Sequence, residues 1–409
     1  MMESQGLSAS HPPESLILGY SIPMQEIYLD YNATTPCDPA VVEAMLPFFS
    51  TDFGNPASRQ HEAGRHAFQA LENARKQIAA ILGARSATEI LFSSGATEAN
   101  NFLLKGLAWK LREGGLHIIT QATEHPAVLG PLASLREQGF EVDILGVAQD
   151  GQLDIEEFRR ALRPDTILAS IMAANNETGV LQPIDRIAEL TREAGVHLHC
   201  DAAQAIGKIP VNLRSLGVDS MAISAHKFYG PKGVGALYLR RNSTRPLPLL
   251  EGGGQEYGLR SGTSNVAGAV GMSRALQLVS EKLGAESLRI KDLRDRFEEK
   301  MLSLNPRSRI NGAEAPRLPN TSNISFPGSD GQALTASLRG LALSTGSACS
   351  SATQEASHVL AAMGIPRATA SSTLRISLGR YSHREEVLAA ARTISTELQG
   401  LRARKGRRR

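Results

Sequence analysis

A short apolar run ends in Ser224-Ala-His226-Lys227 and is followed by a Gly/Pro turn and a second β-rich run that closes at Leu239. The pattern is that of strand, functional turn and strand. An ammonium at the end of a buried strand is costly unless its amine is neutralised or bonded, and a Schiff base with an aldehyde cofactor meets both conditions. Taken alone, the stretch equally allows a lysine that reaches solvent past the turn. Earlier in the chain, Val196-His-Leu-His-Cys-Asp201 is a second β-like run, closed by a carboxylate and followed by Ala-Ala-Gln204. Asp201 is therefore expected at the carboxyl end of a strand, where open α/β sheets place ligands. Pyridoxal phosphate (PLP) chemistry needs an acid beside the pyridinium nitrogen and a lysine for the aldehyde in one cleft. Asp201 and Lys227 supply both.

The elements around this pair must bring it together. Glu89 to Glu98 reads as strand, small-residue turn and helix start, and the free amides and positive dipole end of that helix make an anion cradle. Thr97 adds a hydroxyl there, or serves as a plain N-cap. The run His117 to Gln121 leads to Glu124-His125-Pro126 at the start of another helix, a place where a histidine is more often a cap or surface residue. Thr166 to Met172 runs into Asn175-Asn176-Glu177-Thr178-Gly179, a polar cluster that a simple turn could also use. Strands alternating with helices through residue 240 predict an α/β fold with a mainly parallel sheet covered on both faces. A helical region from about Asn265 to Leu304, interrupted near Gly284, is expected to link it to a smaller α+β part with strands at Ser322–Phe326, Leu341–Ser344 and Thr373–Leu378. The expected division is a loose extension over 1–24, a large domain over 25–264, and a small domain over 265–409 that includes the linking helix and a basic tail. The tail, Leu401 to Arg409, reads as a solvated, frayed end.

At 409 residues, two domains are expected. With 42% hydrophobic and 21% charged residues the chain has the composition of an ordinary soluble enzyme. A net charge of +3 gives no general case for nucleic acid. Three cysteines, Cys37, Cys200 and Cys349, are too scattered for a disulfide framework or a metal site, which points to a reducing cytoplasm. No apolar run reaches the roughly 18 residues of a membrane helix. The first Lys or Arg is Arg59, so no targeting signal with early positive charge is expected.

Nine short motifs in order carry a resemblance: Asp30-Tyr-Asn-Ala-Thr-Thr-Pro36, Gly54-Asn-Pro-Ala-Ser58, Ser94-Gly-Ala-Thr-Glu98, Glu124-His125, Asn175-Asn-Glu-Thr-Gly179, Asp201-Ala-Ala-Gln204, Ser224-Ala-His-Lys227, Arg260-Ser-Gly-Thr263 and Gly346-Ser-Ala-Cys349. Together, over about residues 26 to 395, the chain resembles the cysteine desulfurases of the class V aminotransferases. Leu343 to Ser351 and Glu355 to Gly364 are most similar to the branch serving iron–sulfur assembly and nitrogenase. The resemblance implies a PLP fold-type I homodimer with a seven-stranded sheet in its large domain. It implies that Lys227 holds PLP, that Asp201 pairs with the ring nitrogen, that Gln204 and Asn176 bond the ring oxygen, and that His125 stacks on the ring. Ala96, Thr97, Ser224 and His226 would hold the phosphate, joined by Thr263 of the other subunit. Arg375, with Asn32, would clamp the substrate carboxylate, an arginine being suited to a two-pronged grip. Two features lack a family counterpart: the N-terminal extension, and a C-terminal tail shorter than the one with which housekeeping members grip their scaffold partner.

The implied reaction converts L-cysteine to L-alanine. A freed Lys227 could move the Cα proton, and the substrate sulfur would pass to a thiolate on the enzyme as a persulfide, for delivery to an acceptor protein. Cys349, in a small polar run, is the implied nucleophile, since exposed thiolates react and buried thiols do not. Cys200, within a strand, reads as an apolar filler. Alternatives are a selenocysteine lyase, which can dispense with the thiol, a plain aminotransferase, or a non-catalytic sulfur-relay subunit.

Overall fold

The structure, a computed structural model, describes residues 26–345 and 357–406, so the extension over 1–24 and Cys349 lie outside the described residues. A seven-stranded sheet runs in the order Ile90–Ser93, Gly235–Leu239, Ser220–Ser224, His197–Asp201, Thr166–Ser170, His117–Gln121 and Glu141–Leu145. Every pairing is parallel except the two made by Gly235–Leu239. Six strands therefore point their carboxyl ends to one edge, and the polar clusters expected after Ser93, Gln121, Ser170, Asp201 and Ser224 all gather there. Apolar residues fill both faces of the strands, as a sheet covered by helices requires. Ile90, Ile119, Leu198 and Ile223 share a core with Ile78 and Phe228.

The second core is built on a four-stranded antiparallel sheet, Ser344–Thr345, Thr373–Ser377, Thr321–Ser325 and Arg309–Ile310. The expected strand Leu341–Ser344 is instead two short ones that break at Leu343: Leu341–Ala342 pairs with Ile27–Tyr28, while Ser344–Thr345 joins the antiparallel sheet. Two partners in different sheets cannot be served by one straight strand, which is the reason for the break. Leu29 packs into this second core, although Tyr31 belongs to the first.

One helix, Val266–Leu304, spans 39 residues without interruption, about 58 Å at 1.5 Å per residue. The break expected at Gly284 is absent, because a solvent-facing glycine costs a helix only about 1 kcal/mol relative to alanine and nothing in the fold lies against that position. Ala269, Met272, Leu276 and Val279 sit in the first core, and Ile290, Leu293, Phe297 and Met301 in the second. Both sets follow the three- and four-residue spacing of one helical face. The last helix, Arg384–Gly406, continues well into the basic tail rather than fraying from Leu401.

The glycine-rich loop after Leu250 is pinned by ion pairs. Arg75 Nη1 and Nη2 donate to Glu256 at 2.6 and 2.9 Å, both side chains being almost fully buried, and Phe92 N donates to Glu256 Oε2 at 2.9 Å. Removing one partner of such a pair leaves a buried charge uncompensated. Glu256→Ala should cost about 3–5 kcal/mol in denaturant unfolding, with Glu72, which also meets Arg75, unable to replace it. A loss below about 1 kcal/mol, the worth of an exposed pair, would show that the loop is held by other contacts.

Candidate active site

A cleft of about 510 Å³ opens at the carboxyl edge of the large sheet. Its walls include Asn32, Ala96, Thr97, His125, Asn176, Asp201, Gln204, Ser224, His226, Lys227 and Arg375. Of the site residues named from the sequence, Thr263 is exposed outside this cleft, and Cys349 lies outside the described residues.

The helix Ala96–Leu111 starts at this edge with Gly95 as N-cap, at φ 155° and without a side-chain cap. Thr97 is therefore not the cap, and its hydroxyl is left for the cleft. A side chain at Gly235 would place Cβ 2.6 Å from the Gly95 Cα, and one at Gly95 would approach Ser224 Oγ at 3.6 Å. The 3.6 Å approach is an ordinary contact, so it is at Gly235 that the close packing of the backbone requires the missing Cβ. The first-turn amides of Ala96 and Thr97 have no acceptor within the helix. Ser224 lines the cleft beside them, and this helix start offers the free donors that an anion requires. Arg260 donates to Glu98 on the same turn at 2.7 Å and secures the glycine-rich loop to it. Burial alone would raise the Glu98 carboxyl, but Arg260 and the Ser94 amide outweigh it and hold it below its ordinary range.

Lys227 reaches the floor of the cleft, where Nζ donates to the carbonyls of Asn32 and Ala33, each at 2.7 Å. His226 Nδ1 is 3.1 Å from Thr34 Oγ1, and burial together with the neighbouring Lys227 and Lys232 charges pushes the imidazole down to about 4. His125 both caps its helix and lines the cleft: Nδ1 accepts from Ala127 N at 3.1 Å, so the neutral ring carries its proton on Nε2. Burial holds its pKa below the ordinary value, helped by Lys227 and His358 and opposed by Asp201. A neutral, flat ring is what stacking on a cationic heteroaromatic requires. Asp201 Oδ1 accepts from Ala203 N at 2.9 Å, and Oδ2 from Asn100 Nδ2 at 2.7 Å.

The substrate end departs from expectation in its details. Asn32 spends its amide inside the protein: Nδ2 donates to Thr321 Oγ1 and the Asn176 carbonyl, while Oδ1 accepts from Lys208 and Asn320. Asn32 therefore braces the wall. Arg375 donates to Asp30 Oδ1 at 2.7 Å and to the Asn176 carbonyl at 3.2 Å, and its Nε is buried without a partner. Arg375 lines the cleft, where a guanidinium suits an incoming carboxylate.

Two contributors escaped the sequence reading. Lys208 donates to both Asn32 Oδ1 and Gln204 Oε1, which turns the Gln204 amide so that its NH2 group faces Asn32 and the cleft. Burial, with Lys227 and Arg375 nearby, holds the Lys208 amine well below its ordinary range. Its position four residues after Gln204 was the only signal in the sequence. Glu177 accepts from Ser357 Oγ at 2.5 Å and is pushed up to about 7 by burial, with Ser357 and Arg375 pulling the other way. Ser357 is the first described residue after Cys349, and the next residue, His358, bonds the Glu124 carbonyl at 2.9 Å.

The raised Glu177 pKa has a signed consequence. The carboxyl is protonated in both folded and unfolded chains well below about pH 4.3. As pH rises toward 7 the unfolded chain loses its proton first, so this group's contribution to stability is lost across that window and changes little above it. Glu177→Gln cannot ionise. Its melting temperature relative to wild type should therefore climb between about pH 4.5 and 7 and then level off. A difference independent of pH, measured by thermal melts across that range, would show that Glu177 does not titrate.

Comparisons with known proteins agree with this geometry. The family model for class-V aminotransferases matches residues 27–389. The chain is 48% identical over 377 residues to the cysteine desulfurase IscS of Anaeromyxobacter dehalogenans, covering 92% of this chain and 93% of that protein. It is 47% identical over 380 residues to the cysteine desulfurase IscS of Haemophilus influenzae, covering 92% and 94%. Among solved structures, a NifS-like protein superimposes with a TM-score of 0.86 at 40% identity over 92% of this chain and all of that one. The DndA structure from Streptomyces lividans gives 0.72 at 38% identity, over 86% and 99%.

Proposed function

The chain belongs to the class-V aminotransferase family, and from that premise we propose that its cleft performs the reaction of a PLP-dependent cysteine desulfurase, taking L-cysteine to L-alanine with transfer of sulfur. The observation that carries this is the convergence of Lys227, Asp201, the Ala96–Thr97 helix start and Arg375 on one cleft.

The donor set fits PLP. The amides of Ala96 and Thr97, with Ser224 and His226, suit a phosphate. Asp201 would accept from a ring N–H, Asn176 and Gln204, both lining the cleft, would meet a ring oxygen, and the neutral His125 ring would offer a stacking surface. When bound, PLP supplies an electron sink that makes the substrate Cα proton removable. Lys227 provides the amine that holds the aldehyde and, once released from it, a base able to carry that proton. The guanidinium of Arg375, which lines the cleft, would receive the substrate carboxylate.

Sulfur transfer falls to Cys349. Its thiolate bonds the substrate Sγ as the substrate Cβ–Sγ bond breaks, the bonding pair stays with carbon, and protonation of that carbon together with return of the proton to Cα completes alanine. The enzyme is left as a persulfide, which an acceptor protein in iron–sulfur or related sulfur-cofactor assembly then draws on. The working unit is a homodimer, in which Thr263 serves the neighbouring cleft. Its exposure away from its own cleft, and the exposed Leu46, Phe49, Phe53 and Tyr257, support that reading. A cytoplasmic site of action suits a free Cys37 and Cys200, and among the described residues no helix is long and apolar enough to cross a membrane.

The test is direct: purified protein, incubated with L-cysteine and a thiol reductant, should release alanine and sulfide in equal amounts. The sulfur-retaining keto acid 3-mercaptopyruvate without sulfide would make it a transaminase, and turnover of selenocysteine alone would make it a lyase.

A further inference from the structure

Behind Asp201 lies a row of buried polar side chains that the reaction above does not use. Asn100 Nδ2 donates to Asp201 Oδ2 at 2.7 Å, and Asn100 Oδ1 is 2.8 Å from His199 Nε2. His199 Nδ1 is 2.9 Å from Ser220 Oγ, which is also 2.9 Å from His197 Nε2. Asn100, His199 and Ser220 are each 0% exposed. Such a network is costly unless every member is satisfied.

The direction of each bond is dictated by chemistry. A carboxylate only accepts, so Asn100 must turn its NH2 group to Asp201 and its oxygen to His199. That oxygen also only accepts, so the proton of His199 is on Nε2. The neutral ring then has a bare Nδ1, which takes the hydroxyl hydrogen of Ser220. Serine has no second hydrogen, so His197 must donate to it from Nε2. Burial pushes both imidazoles down to about 3, leaving each ring with the single N–H that this order needs.

We propose that His197, Ser220, His199 and Asn100 form a one-way hydrogen-bond chain whose donors all point toward Asp201, and that they are positioning residues fixing this carboxylate as a charged acceptor for the cofactor ring. The role at the ring rests on the PLP reading above, whereas the order of donors does not. Aligned donors polarise one another toward the terminal acceptor. The neighbouring Glu124 shows the contrast. It is fully buried with Oε2 unpartnered, and burial together with the Asp201 charge drives its carboxyl well above the ordinary range. Among the described residues no such chain ends on Glu124, whereas both oxygens of Asp201 are met by donors.

Two measurements test this. In ¹⁵N-histidine spectra of the wild-type apoprotein, His199 and His197 should both be neutral Nε2–H tautomers that do not titrate between about pH 5.5 and 8.5, where an ordinary histidine changes charge. Signals are assigned with His199→Phe and His197→Phe. In the second, Asn100→Leu, close in size but without donor or acceptor, should raise the dissociation constant for PLP about tenfold or more, as expected for losing one hydrogen bond to a charged group. A His199 protonated on Nδ1 or titrating in that range would overturn the chain, as would unchanged PLP affinity in a folded Asn100→Leu protein. The expected tautomers in an apoprotein that takes up no PLP would support the chain and sink the cofactor reading instead.

Discussion

Lys227→Ala should give a folded, colourless protein that makes no measurable alanine from cysteine. The side chain contributes one amine to the cleft, where it meets the carbonyls of Asn32 and Ala33. Truncation returns those two acceptors to the water of an open cleft, so the fold loses little. The chemistry loses both the covalent hold on the cofactor and the base for the Cα proton. General acid–base catalysis alone is worth about 10²–10⁴ in rate, so a loss of at least that size is expected, with circular dichroism unchanged and the yellow colour gone. The anion cradle is untouched and weak PLP binding can persist. Full alanine production by this variant would remove Lys227 from the mechanism.

Cys349→Ser should abolish sulfide release while leaving PLP uptake and colour intact. A serine hydroxyl is not ionised near neutral pH and is too hard to accept sulfur, so transfer has no destination. The first described residues after Cys349 are anchored beside the cleft, since Ser357 bonds Glu177 and His358 bonds the carbonyl before His125. Selenide release from selenocysteine can survive, because a selenol is more acidic and departs more readily. In the wild type, alkylation before any reductant is added should find one extra sulfur on the peptide containing Cys349. Undiminished desulfuration by the serine variant, or the extra sulfur on Cys37, would sink the assignment.

Most of the large sheet and the cleft could be read from the sequence because five of its strands, ending at Ser93, Gln121, Ser170, Asp201 and Ser224, are buried runs that stop at polar clusters, whereas the edge strand Glu141–Leu145 is partly exposed and carries no such stop. Asp201 and Lys227 mark such stops, and a parallel sheet necessarily brings its stops to one edge. The cap of the Ala96 helix could not be read, since Gly95 and Thr97 are both acceptable cap residues and only the close approach of Gly235 decides between them. Gly284 misled for a related reason: propensity is weak, and 39 residues of packed face override one glycine. Asn100 and His199 were invisible as a pair because they meet across 99 positions of chain. Asn32 looked like a substrate ligand, yet tertiary partners from three other segments engage its amide.

The segment from Ile27 to Thr35 fastens the second core to the cleft, and its timing in synthesis follows from its partners. Asn32 N donates to Ser377 Oγ, 345 positions later, and Ile27–Tyr28 pairs with Leu341–Ala342. A ribosome adding about 5–20 residues per second makes that segment wait on the order of tens of seconds for its mate. Through that interval Ile27–Leu29 is an apolar strand with no sheet to join, a target for chaperones that cover nascent chains. Asn32 and Ala33, whose carbonyls receive Lys227, gain this last anchor when the Thr373–Ser377 strand has emerged, so this wall of the cleft is completed near the end of translation.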